Sequence, residues 1–67
     1  MYTTKNFKTK KQLKEAVAAG QIVTIYAPAI GSPKTDGWET VEGPHYPEPH
    51  RWAGKVFMVG GNVTKVK

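Results

Sequence analysis

The stretch Arg51-Trp52-Ala53-Gly54-Lys55-Val56-Phe57-Met58-Val59-Gly60-Gly61-Asn62-Val63-Thr64-Lys65-Val66-Lys67 decides how the rest of the chain must be arranged. Residues 51–59 place Trp52, Val56 and Met58 on one side of an extended chain and Ala53, Lys55, Phe57 and Val59 on the other, the period of two that marks a strand. Gly60-Gly61-Asn62 then supplies the residues a tight hairpin turn demands, and residues 63–67 return as a second strand. Two registers are open. A Gly61-Asn62 turn pair sets Phe57 opposite Val66 and Val59 opposite Thr64; it clusters the apolar residues better than a Gly60-Gly61 pair and is the expected one.

Upstream, Trp38-Glu39-Thr40-Val41-Glu42 alternates weakly and reads as an edge strand that Gly43-Pro44 ends. Ile22-Val23-Thr24-Ile25-Tyr26 is β-branched or aromatic throughout, the pattern of a strand apolar on both faces, and is expected to be the central one. Residues 29–37, with two glycines, a proline and Asp36-Gly37, form a loop between these two strands. Earlier still, Thr9-Lys10-Lys11-Gln12 matches a capping box, Leu13, Ala16 and Val17 follow at helical spacing, and Gly20 stands where a helix ends in the left-handed conformation. The spacing predicts a helix over 10–19, too short to persist alone and therefore packed on a sheet. Residues 1–8 show no period and read as an arm or a short irregular lead-in, with Tyr2 and Phe7 apolar enough to dock. The expected fold is α+β: a single domain over 1–67, in which one short N-terminal helix covers a largely antiparallel sheet of three or four strands.

Composition narrows the class further. A chain of 67 residues buries a core that rarely supplies more than about 3–5 kcal/mol. With no cysteine there is no disulfide framework and no thiolate metal site, which suits a reducing cytoplasm. No run approaches the ~18 apolar residues of a membrane span, so a soluble, non-membrane protein is expected. The formal charge of +5 is segregated: Lys5, Lys8, Lys10, Lys11 and Lys14 precede the first acid, Glu15, and residues 36–50 contain four acids and no Lys or Arg. Clustered positive charge of this kind steers association with a polyanion.

Candidate sites follow from these patterns. Lys10 and Lys11 lie in the first helical turn, where the macrodipole disfavours cations, and a phosphate there would convert the mismatch into a site. Lys5, Lys8 and Lys14 extend this into a nucleic-acid-binding patch. Trp52 and Tyr26 are assigned to packing, whereas Trp38 and Tyr46 are the aromatic residues expected to be exposed, and bases can stack on such rings. His45 and His50 bracket Glu48, the ligand types of a two-histidine, one-carboxylate metal site. In the extended geometry that Pro44, Pro47 and Pro49 impose, however, the two histidines are too far apart to share an ion. No metal site, catalytic residue or cofactor is therefore assigned, and the histidines are expected to hydrogen-bond backbone carbonyls. The 44–52 segment reads instead as a polyproline-like surface crossing that presents Tyr46, His50 and Arg51, with Trp38 nearby, to a protein partner.

The lysine-rich capped helix, the strand ending at Pro28 and the Gly43-Pro44-His45-Tyr46-Pro47 segment together resemble the small proteins encoded by bacterial phages and prophages. The resemblance implies a bacterial cytoplasmic setting and an accessory, non-enzymatic role, and it carries over no catalytic residue. Two readings stand side by side. One is a nucleic-acid-binding protein acting through the N-terminal lysines. The other is a protein-protein interaction module that docks a host protein, or a second copy of itself, through the 44–52 surface.

Overall fold

The computed structural model describes residues 1–27, 31–45 and 47–67. In chain order the elements are β1 (Tyr2–Thr3), α1 (Lys10–Ala18), β2 (Ile25–Tyr26), β3 (Gly37–Gly43), β4 (Trp52–Val59) and β5 (Asn62–Val66). The fold is α+β. Strands β1 and β2 pair antiparallel as a small sheet, and β3, β4 and β5 form an antiparallel meander with β4 in the centre.

The helix ends where its local chemistry directs. The Thr9 side chain accepts from the Gln12 backbone N–H at 3.2 Å, and the Gln12 side chain accepts in return from the Lys8 N–H, one residue further back than a standard capping box reaches. At the other end Gly20 N–H bonds to the Val17 carbonyl and Gln21 N–H to the Ala16 carbonyl, the paired bonds of a Schellman motif. Leu13 and Ala16 are thereby turned onto the inner face of the meander, where Val41, Val56, Met58 and Val63 complete a core with Phe7, Val23 and Ile25. Trp52 packs against this core as expected, and its indole N–H donates to the Phe7 carbonyl at 3.1 Å. Its ring lies so close over Gly43 that a Cβ there would sit 2.6 Å from it.

Three expectations are corrected. Residues 1–8 are not an arm: Tyr2 and Thr3 are buried as β1, Phe7 is core, and the Met1 carbonyl accepts from Glu42 N–H. Residues 22–26 are not the central strand. Val23 and Ile25 point inward while Ile22 is 84% exposed and Tyr26 is also exposed, so the run has one buried face and sits at the periphery. The hairpin turns on Gly60-Gly61, not Gly61-Asn62. Both glycines have positive φ, 57° and 83°, which a two-residue type I′ turn requires, and Val59 pairs with Asn62. A bulge then shifts the register, bringing Lys65 opposite Phe57 and Val66 opposite Val56. The loop before β3 braces this turn: the Thr35 carbonyl accepts from Gly61 N–H, and the Asp36 carboxylate accepts from Gly60 N–H.

Candidate nucleic-acid interface

Register decides what the outer face of the meander carries. Because Val41, Val56 and Met58 point to the core, the alternate residues Trp38, Thr40, Lys55 and Phe57 point to solvent. Trp38 and Phe57 are cross-strand partners, their rings in an edge-to-face arrangement with centroids 5.1 Å apart. The bulge adds Lys65 to the same row, and Lys67, exchanging two backbone hydrogen bonds with Lys55, adds a cation to the next. The Lys65 ammonium stands 5.6 Å from the centroid of Phe57 and that of Lys67 stands 5.5 Å from Trp38, both within cation–π range. The face therefore presents two aromatic rings among three lysines, with Trp38 42% exposed. Glu42 lies at its far end, its carboxylate 3.4 Å from His50 Nδ1.

The five N-terminal lysines do not form one cluster. Lys10 and Lys14 lie on the flank of α1 that meets β5. A methyl group added at Gly54 would sit 3.0 Å from Lys10 Cε and 3.2 Å from the Lys67 carbonyl oxygen, and Lys14 shares an open groove with Lys65. Lys14 thus borders the outer face across the β5 edge, whereas Lys10 lies beside Gly54 on the helix-facing side of the sheet. Lys5 is elsewhere, over the ring of Phe7 beside a groove lined by Gln12 and Glu15. Lys8 is paired with Glu48 at 2.6 Å. That bond chiefly, helped by the charges of Lys8 and Arg51 and opposed by partial desolvation, holds the Glu48 carboxyl below its ordinary value. Lys11 is exposed.

The 44–52 segment is folded back instead of crossing the surface in an extended form. Gly43-Pro44 is a cis peptide, Glu48 N–H donates to the His45 carbonyl, and Arg51 N–H donates to the Gly43 carbonyl. Both histidines consequently meet Tyr2. His45 stacks on its ring and donates from Nε2 to the Thr3 carbonyl at 2.7 Å, a carbonyl bond as expected. His50 does otherwise: its Nε2 lies 2.7 Å from the Tyr2 hydroxyl. The segment is a clasp over β1. Of the proposed docking residues, His50 is engaged in this clasp, Arg51 is exposed, Trp38 belongs to the outer face, and Tyr46 lies outside the described residues. Among the described residues no three metal-ligating side chains gather.

Sequence reading nominated Trp38 but missed Phe57, Lys55, Lys65 and Lys67 as a set. The alternation had placed Lys55 and Phe57 on one side; the expected turn pair set Lys65 against Met58, on the core side. No protein-family model matches the chain, and no curated protein or solved structure matches it. Among the described residues no helix is long and apolar enough to cross a membrane.

Proposed function

We propose that this protein is a non-enzymatic accessory protein that binds single-stranded nucleic acid on the outer face of β3–β4–β5. The observation that carries the reading is the pairing of Trp38 and Phe57 on a solvent-facing sheet surface with Lys55, Lys65 and Lys67 around them. The exposed Trp38 ring and the half-buried Phe57 ring beside it offer stacking to bases of any sequence, and lysines at alternate positions along a strand can follow a phosphate backbone. Lys14 extends the cationic surface past the β5 edge. Double-stranded nucleic acid fits less well, since its bases are stacked on one another and cannot reach the rings. Docking of a protein through residues 44–52 draws less support, because His45, Glu48, His50 and Trp52 make contacts within the chain. The resemblance to phage-encoded proteins makes phage or host strands in the bacterial cytoplasm the natural ligands.

Fluorescence anisotropy with a labelled mixed-sequence oligonucleotide, titrated across salt concentrations, tests the reading. Three engaged lysines give a log–log slope of about −2, from about −0.7 per phosphate on a single strand. Changing Lys55, Lys65 and Lys67 together to Ala flattens that slope, whereas changing Lys5 and Lys8 leaves it nearly intact. Absence of binding at low salt, or equal losses from the two sets of changes, refutes this interface.

A further inference from the structure

The outer face is not bare. Each of its rings carries an ammonium group, Lys65 of β5 over Phe57 and Lys67, the residue after β5, over Trp38. Lys67 reaches its ring from two strands away, since β4 lies between β5 and β3. Its side chain must therefore cross the sheet to lie where a base would stack. An aromatic face accommodates one partner at a time, so base and ammonium compete for Trp38. The displaced cation would be left next to the incoming ligand, and a phosphate is the group that can receive it.

Resting on the reading of the outer face as a single-strand interface, we propose that binding is an exchange reaction. Lys67, and Lys65 in the same manner, leave the rings for phosphate oxygens as bases take their places. The ligand class this selects is an unpaired base carried on an anionic backbone. A neutral ligand with the same bases must displace the ammonium without offering it a new partner, so the platform discriminates against it. The same lysine thus favours the phosphodiester strand and opposes the uncharged one.

The experiment compares a short oligonucleotide with its uncharged methylphosphonate analogue of the same sequence, on the wild-type chain and on Lys67→Ala and Lys67→Arg. Removing the ammonium lowers affinity for the phosphodiester strand at low salt and reduces its salt slope by about 0.7. The same change raises affinity for the methylphosphonate strand about two- to five-fold, the factor that corresponds to one exposed cation–π contact. Lys67→Arg, whose planar guanidinium stacks better on a ring, weakens the neutral strand relative to wild type. Opposite signs for the two strands in Lys67→Ala support the exchange. If the neutral strand binds wild type and Lys67→Ala equally, or loses affinity in the variant, Lys67 does not cover the ring and the proposal falls while the interface stands. If the phosphodiester strand fails to bind the wild-type chain at low salt, the interface itself is refuted and the exchange with it.

Discussion

Two regions of this small protein collect aromatic and charged side chains, and they use them in opposite ways. Around Tyr2, the rings of Tyr26, His45 and His50 all lie within 6 Å of its centroid. The polar atoms there are matched to one another: His45 to the Thr3 carbonyl, His50 to the Tyr2 hydroxyl, and Trp52 nearby to the Phe7 carbonyl. On the outer face of the meander, Trp38 and Phe57 meet through a ring edge and leave area open, and the lysines above them have no anion as partner in the contacts described. By composition the first region is the more suggestive, since it holds both histidines and most of the prolines. Availability, not composition, separates the two: in the clasp the polar groups satisfy each other, whereas the outer-face rings keep area open to solvent.

The largest effect expected from this contrast is on stability, at the clasp. Tyr2 is 8% exposed and touches three rings, so Tyr2→Ala removes a buried aromatic side chain at a cost of about 3–5 kcal/mol. That equals the whole stability expected of a domain this size. Circular dichroism and thermal melting should show a largely unfolded chain at room temperature. A variant that melts cooperatively within a few degrees of wild type would break the comparison by making the N-terminal strand an ornament.

Next comes the outer face, where the expected loss is in binding. Trp38→Ala removes a ring worth about 1–3 kcal/mol of base stacking, roughly a 5- to 150-fold weakening for a single-stranded oligonucleotide. Its stability should change by no more than about 1 kcal/mol, because the ring lies against solvent on an edge strand. Anisotropy and thermal melting on the same sample check both halves. A variant that binds as wild type does would remove Trp38 from the interface; one that unfolds would show that the outer face is structural after all.

A finer cut at the clasp is Tyr2→Phe, which keeps the ring and deletes the hydroxyl that His50 meets at 2.7 Å. A loss of about 0.5–1.5 kcal/mol is expected, the usual net contribution of one hydrogen bond, with oligonucleotide binding unchanged. A denaturant midpoint shift without a change in slope measures it.

How far the chain was legible in advance follows from how local each signal is. The helix from Thr9 to Gly20 was readable because caps and apolar spacing lie within a few residues of one another. The faces of β4 and the edge position of β3 were readable from alternation. Tyr2 and Thr3 were not, because a two-residue strand has no period, and its burial depends on Ile25, Tyr26 and the fold-back of residues 44–51, all distant in sequence. The hairpin was half readable. Gly60-Gly61-Asn62 offered two turn pairs, and apolar clustering favoured the wrong one, since the bulge gives Val66 an apolar partner, Val56, without it. The turn pair alone did not hide the proposed interface, since either pair sets Lys65 opposite a core residue, Met58 or Val56; the bulge between Phe57 and Met58, a slip of one residue, is what turns Lys65 outward.

The smallest effect sought lies within the clasp, in the ion pair that ties Lys8 to Glu48. The Glu48 carboxyl is held below its ordinary value of 4.5, chiefly by the hydrogen bond from Lys8. A carboxyl depressed on folding stabilises the native state when both folded and unfolded chains are ionised, and that contribution is lost as pH falls through the depressed folded value. Wild type should therefore exceed Glu48→Gln slightly in melting temperature at pH 6–7, and the gap should close progressively as pH drops below about 4.5, the ordinary carboxylate range. Other carboxylates titrate over the same interval, but they do so in both proteins, so the difference between the two melting curves isolates this one. Exposed pairs are weak and screened by salt, so the gap should also shrink in high salt at neutral pH. A gap that persists unchanged to acid pH would assign the clasp's hold on Lys8 to packing and not to charge. It would also return Lys8 to the pool of cations free to contact a phosphate, blurring the division between the clasp and the outer face.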